Sequence, residues 1–124
     1  MIDRLLGPLR ESKPRVSLVI INHNYAEYVR EAIVSVRDQD YENFECFVVD
    51  NASEDDSARI IKKSIKGDGR FQGLFFEENL NQMGAVQAVL PRLSGQLVAV
   101  IDSDDFLLRQ FVSSHVRLHV ALKR

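Results

Sequence analysis

Apolar residues fall along this chain in two alternating patterns. Short continuous runs, "VSLVII" (16–21), "FECFVV" (44–49), "LFF" (74–76) and "QLVAVI" (96–101), are rich in β-branched and aromatic residues and predict buried strands. Between them apolar positions recur at helical spacing. Tyr28, Val29, Ala32, Ile33 and Val36 share one face of a helix within 22–39. Ala58, Ile61 and Ile65 form the stripe of a second helix over 53–65, closed by Gly67 and Gly69. A third helix is predicted over 83–93, where Pro91 should make it irregular or end it early. A fourth, over 110–122, buries Phe111, Val112, Val116 and Val120. Asn24 with Glu27, and Ser53 with Asp56, supply helix-start signals for the first two.

Strand and helix alternating at roughly 30 residues per unit is the βαβ rhythm. The fold class that follows is α/β: an open, mostly parallel sheet with helices on both faces and right-handed crossovers. The common strand order for such a sheet, 3-2-1-4, makes the first and fourth strands neighbours. Residues 1–15 read as a leader, with Pro14 marking the domain edge, and 16–124 read as one α/β domain.

Composition narrows the function classes. The chain has 124 residues, 45% hydrophobic and 27% charged, with 16 Lys plus Arg against 18 Asp plus Glu. A net charge of −2 without a basic aromatic stretch argues against a nucleic-acid binder. The single cysteine, Cys46, lies in an apolar run; it excludes an internal disulfide and argues against a thiolate zinc site. No apolar run is long enough to span a membrane, and no signal-peptide pattern opens the chain, so the expected location is cytoplasmic, with membrane association through a further region or partner.

In an open α/β sheet, ligands bind beyond the carboxyl ends of the strands. Those ends carry Asn22, His23 and Asn24, then Asp50 and Asn51, then Glu77, Glu78 and Asn79, and finally Asp102, Ser103, Asp104 and Asp105. Three carboxylates within four positions repel one another, and a buried strand has no reason of its own to end that way. A divalent Mn²⁺ or Mg²⁺ relieves the repulsion, because it takes oxygen ligands and bridges to phosphate. In the order 3-2-1-4, Asp50 and Asp102 lie two strand spacings apart, roughly 10 Å, about the reach of a nucleoside.

Other patterns carry less. His115 and His119 are spaced i, i+4, but "HVRLH" lacks the glutamate of a zinc-protease helix and reads as a partly exposed helical face. "GxGxxG", "GxxxxGK" and "GxSxG" are absent, and the first strand-to-helix turn, "NHNYAE", has no glycine. A receiver-type acidic pocket would need an acid where the first strand ends, and Asn22 stands there instead.

Several of these segments together resemble the family 2 glycosyltransferases of GT-A fold, over about Pro14 to His119. "VSLVIINHNYAEYVREAIVSVRDQDYENFECFVVDNASEDDS" is similar to that family's opening strand, turn, helix and Asp-Asn turn. "ENLNQMGA" resembles its Glu-Asn-x-Gly segment, and "GQLVAVIDSDD" its Asp-x-Asp-Asp signature. The resemblance implies a nucleoside-diphosphate sugar as partner, with uracil the usual base. Asn22 and His23 would line the base pocket, Asp50 would contact the base, Asp102 the ribose, and Asp104 would ligate the metal. It also implies inverting transfer to an acceptor hydroxyl. Departures are Ile21 for a frequent proline, His23 for tyrosine, Val86 for a frequent arginine, and Arg109 for proline. No acidic residue follows Asp105, so no general base is assigned, and the chain reads as a donor-binding portion without the acceptor half. The alternative is a non-catalytic binding or assembly module of the same fold. An uncovered flank would favour a homo-oligomer.

Overall fold

The computed structural model describes residues 13–122. Four parallel strands, β1 (Val16–Asn22), β2 (Phe44–Asn51), β3 (Phe71–Phe76) and β4 (Leu97–Asp102), form one sheet in the order β3-β2-β1-β4. The helices are α1 (Val29–Arg37), α2 (Ser57–Ile65), α3 (Asn81–Val89) and α4 (Phe111–Leu122). All seven residues of β1 are buried, as a central parallel strand covered on both faces requires. Leu18 and Ile20 point into one core with α1, α2 and α4, while Val19 and Ile21 point into another with α3.

The predicted elements form, with four differences of detail. α1 buries Val29, Ala32, Ile33 and Val36, but it begins at Val29 and Tyr28 provides no side-chain cap. The Asn24–Glu27 capping pair is absent. Asn24 instead takes a left-handed φ of 58°, and its Oδ1 accepts the Glu54 N–H at 2.8 Å. α2 starts at Ser57, where Asp55 accepts the backbone N–H at 3.0 Å, while Ser53 turns to Asp50 and Asp56 pairs with Arg59. β3 begins at Phe71, three residues before the predicted start. Gly73 inside it leaves room for the Phe75 ring, which a Cβ would meet at 2.8 Å. α3 ends at Val89, and Pro91 sits in the 3₁₀ turn Leu90–Arg92 that follows, as its presence predicts.

The leader, in its first twelve residues, lies outside the described residues. Pro14 and Arg15 are tied to the domain: Tyr41 donates its hydroxyl to the Pro14 carbonyl at 2.5 Å, and the Gln96 N–H reaches the Arg15 carbonyl at 2.7 Å. At this amino end of the sheet Glu45 is a hub. It accepts from the Ser17 hydroxyl (2.6 Å) and from the Ser94 N–H (2.6 Å) and hydroxyl (2.9 Å). Partial burial works to raise its carboxyl pKa, but these bonds and Arg15 outweigh it and hold the group below the ordinary range.

Asp68 pairs with Arg70 within the α2–β3 turn at 2.9 Å and joins that turn to α1 through Arg37 at 3.6 Å. The Arg70 hydrogen bonds lower its pKa from 3.8 to about 2 despite some burial. A depressed carboxyl contributes stability that is full above pH 4 and is lost as pH falls toward 2. Asp68→Asn is therefore expected to cost on the order of 1–2 kcal/mol at neutral pH and to flatten that acid limb. Urea midpoints between pH 2 and 6 test this; parallel curves for both proteins would refute it.

Candidate nucleotide and metal site

Because every strand is parallel, all four deliver their last residues to one rim. Asn22 and Asp50 are register partners there, and both are buried. Asn22 Nδ2 donates to Asp50 Oδ1 at 3.0 Å and to Ser53 Oγ at 3.3 Å, and the Ser53 hydroxyl donates to the same Oδ1 at 2.5 Å. Among the described residues, Asp50 Oδ2 has only the Ser53 N–H at 3.4 Å, and Asn22 Oδ1 has no partner. Buried polar atoms normally find partners, so this knot retains acceptor capacity at the rim.

Above it opens a cleft of about 380 Å³ lined by His23, Asn51, Asn79, Gln82, Asp102 and Asp104, among others. Asn22 and Asp50 are not among its lining residues. His23 Nδ1 lies 2.7 Å from the Asn51 carbonyl, which can only accept, so Nδ1 carries the proton. Nε2 is then the acceptor for Asn24 Nδ2 at 3.2 Å and Asn79 Nδ2 at 3.4 Å. Asn51 ties the end of β2 to the entry of α3, accepting the Leu80 N–H at 2.8 Å and donating to the Asn81 carbonyl at 3.1 Å.

The acidic turn closes the other side. The Ser103 N–H extends the ladder to the Ile21 carbonyl at 3.2 Å, and the Asp105 N–H folds back to the Asp102 carbonyl at 3.0 Å. Carboxylate oxygens of Asp102, Asp104 and Asp105 all come within 4.8 Å of one another at the surface. Gln82 donates to Asp102 Oδ1 at 3.0 Å. Ser103, 1% exposed and lining the cleft, has a hydroxyl with no hydrogen-bond partner among the described residues. No lysine or arginine lines the cleft among the described residues, so no described cation there offsets the carboxylates. Hard oxygen donors at this separation fit Mg²⁺ or Mn²⁺.

The sequence matches the description "Glycosyl transferase family 2" over residues 17–123. The chain belongs to glycosyltransferase family 2. It is 34% identical over 93 residues to TuaG of Bacillus subtilis (strain 168), a glycosyltransferase provisionally assigned to teichuronic acid biosynthesis, covering 75% of this chain and 37% of TuaG. Its fold is similar to the mannosyltransferase PcManGT from Pyrobaculum calidifontis, solved in complex with GDP-Man and Mn²⁺ (TM-score 0.80, 21% identity, 96% of this chain and 35% of that one). It is also similar to S. aureus TarS 1–349 in complex with UDP-GlcNAc (TM-score 0.76, 24% identity, 83% and 30%). The chain thus spans about a third of the length of each of these matched chains.

In this family 2 chain, His23, Asp102 and Asp104 line one cleft, while Asn22 and Asp50 sit in the knot beside it. Asn51, Asn79, Asn81 and Gln82 also line the cleft and were not among the predicted site residues. Asn51, the last residue of β2, and Asn79, three residues past β3, belong to the strand-end sets without an assigned role; nothing in the pattern singles out Gln82. Val86, at the family's frequent arginine position, packs against the core beneath α3. A second cleft of about 600 Å³ lies beyond Asp102, walled by Val100, Phe106, Leu108, Phe111 and His115. His115 is half-buried against the Phe111 ring at 4.5 Å.

Proposed function

We propose that this chain binds a nucleoside-diphosphate sugar with Mn²⁺ or Mg²⁺, as the donor side of an inverting transfer to an acceptor hydroxyl. The observation that carries the reading is the convergence of three carboxylates and the unpartnered Ser103 hydroxyl at a cleft without a cation of its own. The nucleotide sugars held by PcManGT and TarS support it.

Each residue then has a physical task. Asp104 holds the metal, with Asp105 adding negative charge beside it. When bound, the ion stabilises charge on the departing diphosphate. Asp102 accepts from the ribose, its orientation fixed by Gln82. Asp50 uses its spare Oδ2 to accept from the base, while Asn22 and Ser53 hold the carboxylate in place. His23 presents a fixed tautomer at the base pocket, braced by the Asn51 carbonyl. The acceptor approaches over the larger, apolar cleft on the far side of Asp102.

Calorimetry with UDP, GDP and CDP, each with and without Mn²⁺, tests the reading. One nucleotide should bind with Mn²⁺ and lose most of its affinity in EDTA. Failure of all three would refute the proposal. Asp50→Ala separates base from phosphate recognition. A hydrogen bond to a charged group is worth about 1.5–3 kcal/mol, so UDP should weaken at least roughly tenfold while Mn²⁺-pyrophosphate changes little. Equal weakening would reduce Asp50 to a structural role.

A further inference from the structure

The acidic rim has a counterpart of opposite sign. α1 and α2 run side by side on one face of the sheet and enclose a groove of about 540 Å³. Arg30 and Arg37 on α1, and Arg59, Lys63 and Lys66 on or just after α2, line it, with Glu27 as the one acid. From 57 to 67 the chain has Arg59, Lys62, Lys63 and Lys66 and no acidic residue at all. That is a strong local excess on a chain whose net charge is −2.

Part of this charge is already used. Arg59 pairs with Asp56, and Arg37 with Asp68. Arg30, Lys63 and Lys66 have no carboxylate within ion-pair distance among the described residues. The spacing is regular: Arg30 and Arg37 are seven apart on α1, and Arg59, Lys63 and Lys66 step by four and three on α2. Each helix therefore presents cations to the groove, on axes roughly 8–10 Å apart as for packed helices. Outside the groove lining, Lys62 Nζ lies 4.9 Å above the ring of Phe75 on the edge strand β3.

We propose that this α1–α2 groove is a docking surface for the phosphates of an anionic lipid membrane. The carrying argument is charge complementarity. Long cationic side chains on two rigid helices match a field of phosphates. A peptide partner would need a deep apolar pocket for an anchor side chain; here the floor is only Val34 and Ile60, both half-buried. Attraction of this kind is long-ranged at low salt and screened at high salt. With the groove laid on the bilayer, the helix axes lie in its plane. The rim at the strand ends then opens along the surface and not into it.

Co-sedimentation with vesicles tests this, using phosphatidylcholine vesicles with and without phosphatidylglycerol, at low and high salt. The chain should partition onto the phosphatidylglycerol vesicles at low salt only. Lys63→Glu with Lys66→Glu should weaken this by about tenfold or more. Lys13→Glu with Arg92→Glu, the same change in net charge at exposed positions off the groove, should leave it within about twofold. Circular dichroism checks folding, and Lys63→Gln with Lys66→Gln serves if the reversed pair does not fold. Absence of partitioning onto phosphatidylglycerol overturns the proposal. Equal loss in both double variants does so too, since bulk charge would then suffice. Binding of soluble tripolyphosphate without vesicle binding also overturns it, by assigning the groove to a free anion. None of these results depends on nucleotide binding at the rim.

Discussion

Gly95→Ala is expected to lower the thermal midpoint by on the order of 10 °C or more. Gly95 is buried just before β4 and passes directly over the start of β1. A Cβ there would meet the Ser17 N and Oγ at 2.5 Å and the Val16 carbonyl carbon at 2.9 Å. Two of those three atoms are backbone of the central strand, so no side-chain rotation clears the contact. The same position donates its N–H to Ser17 Oγ at 2.8 Å, and Ser17 passes on to Glu45. Moving the glycine away thus also disturbs the hub that joins β1, β2 and the approach to β4. Overpacking costs about 1–3 kcal/mol, and a broken buried hydrogen bond about 1–3 more. The damage is at the amino end of the strands, a strand length from the cleft, so the fraction that folds should bind nucleotide with unchanged affinity. A calorimetric melt and a binding isotherm well below the midpoint measure the two separately. A loss under about 3 °C would mean that the β1–β4 junction is softer than its geometry implies.

Asp104→Asn is expected to abolish the Mn²⁺-dependent part of nucleotide binding. At ligand one hundredfold above its dissociation constant, binding stabilises the folded state by about 2.7 kcal/mol, and that whole increment should disappear. Without ligand the sign reverses. Removing one of three carboxylates that lie within 4.8 Å of one another relieves repulsion, so the variant should be no less stable than the parent. Asp105→Asn should cost much less binding than Asp104→Asn if Asp104 is the ligand. A nucleotide-induced shift of equal size in Mn²⁺ and in EDTA would remove Asp104 from that role.

The sheet was legible because it is parallel and covered on both faces. Burial on two sides demands unbroken apolar runs such as "VSLVII", and runs of that kind separated by helical stripes leave few topologies. The extent of β3 was not legible, because Gly73 and Gln72 look like loop residues until the Phe75 ring is seen to occupy the space over the glycine. The helix starts were misread for a related reason. Asn24 and Ser53 have capping chemistry, yet the rim offers them stronger partners, the Glu54 N–H and the Asp50 carboxylate. At the site, the strand ends share one rim, and the crowding of Asp102, Asp104 and Asp105 is plain from spacing alone. The difference between lining a cleft and supporting it was not. His23 faces the cavity while its chain neighbour Asn22 and that residue's register partner Asp50 form the knot beside it, and only three-dimensional packing separates those roles.

Cys46 sits in the middle of β2, fully buried, with Leu18 opposite on one side and Phe71 on the other. Burial pushes its thiol far above the ordinary range, and Asp68 and Glu45 push it further. It is the chain's one sulfhydryl, which turns a core residue into a clock. An alkylating reagent can mark this protein only during the moments when β2 parts from its neighbours. The labelling rate should therefore rise with urea as steeply as the unfolding constant itself does. A rate that ignores denaturant would reveal instead that the sheet breathes without unfolding.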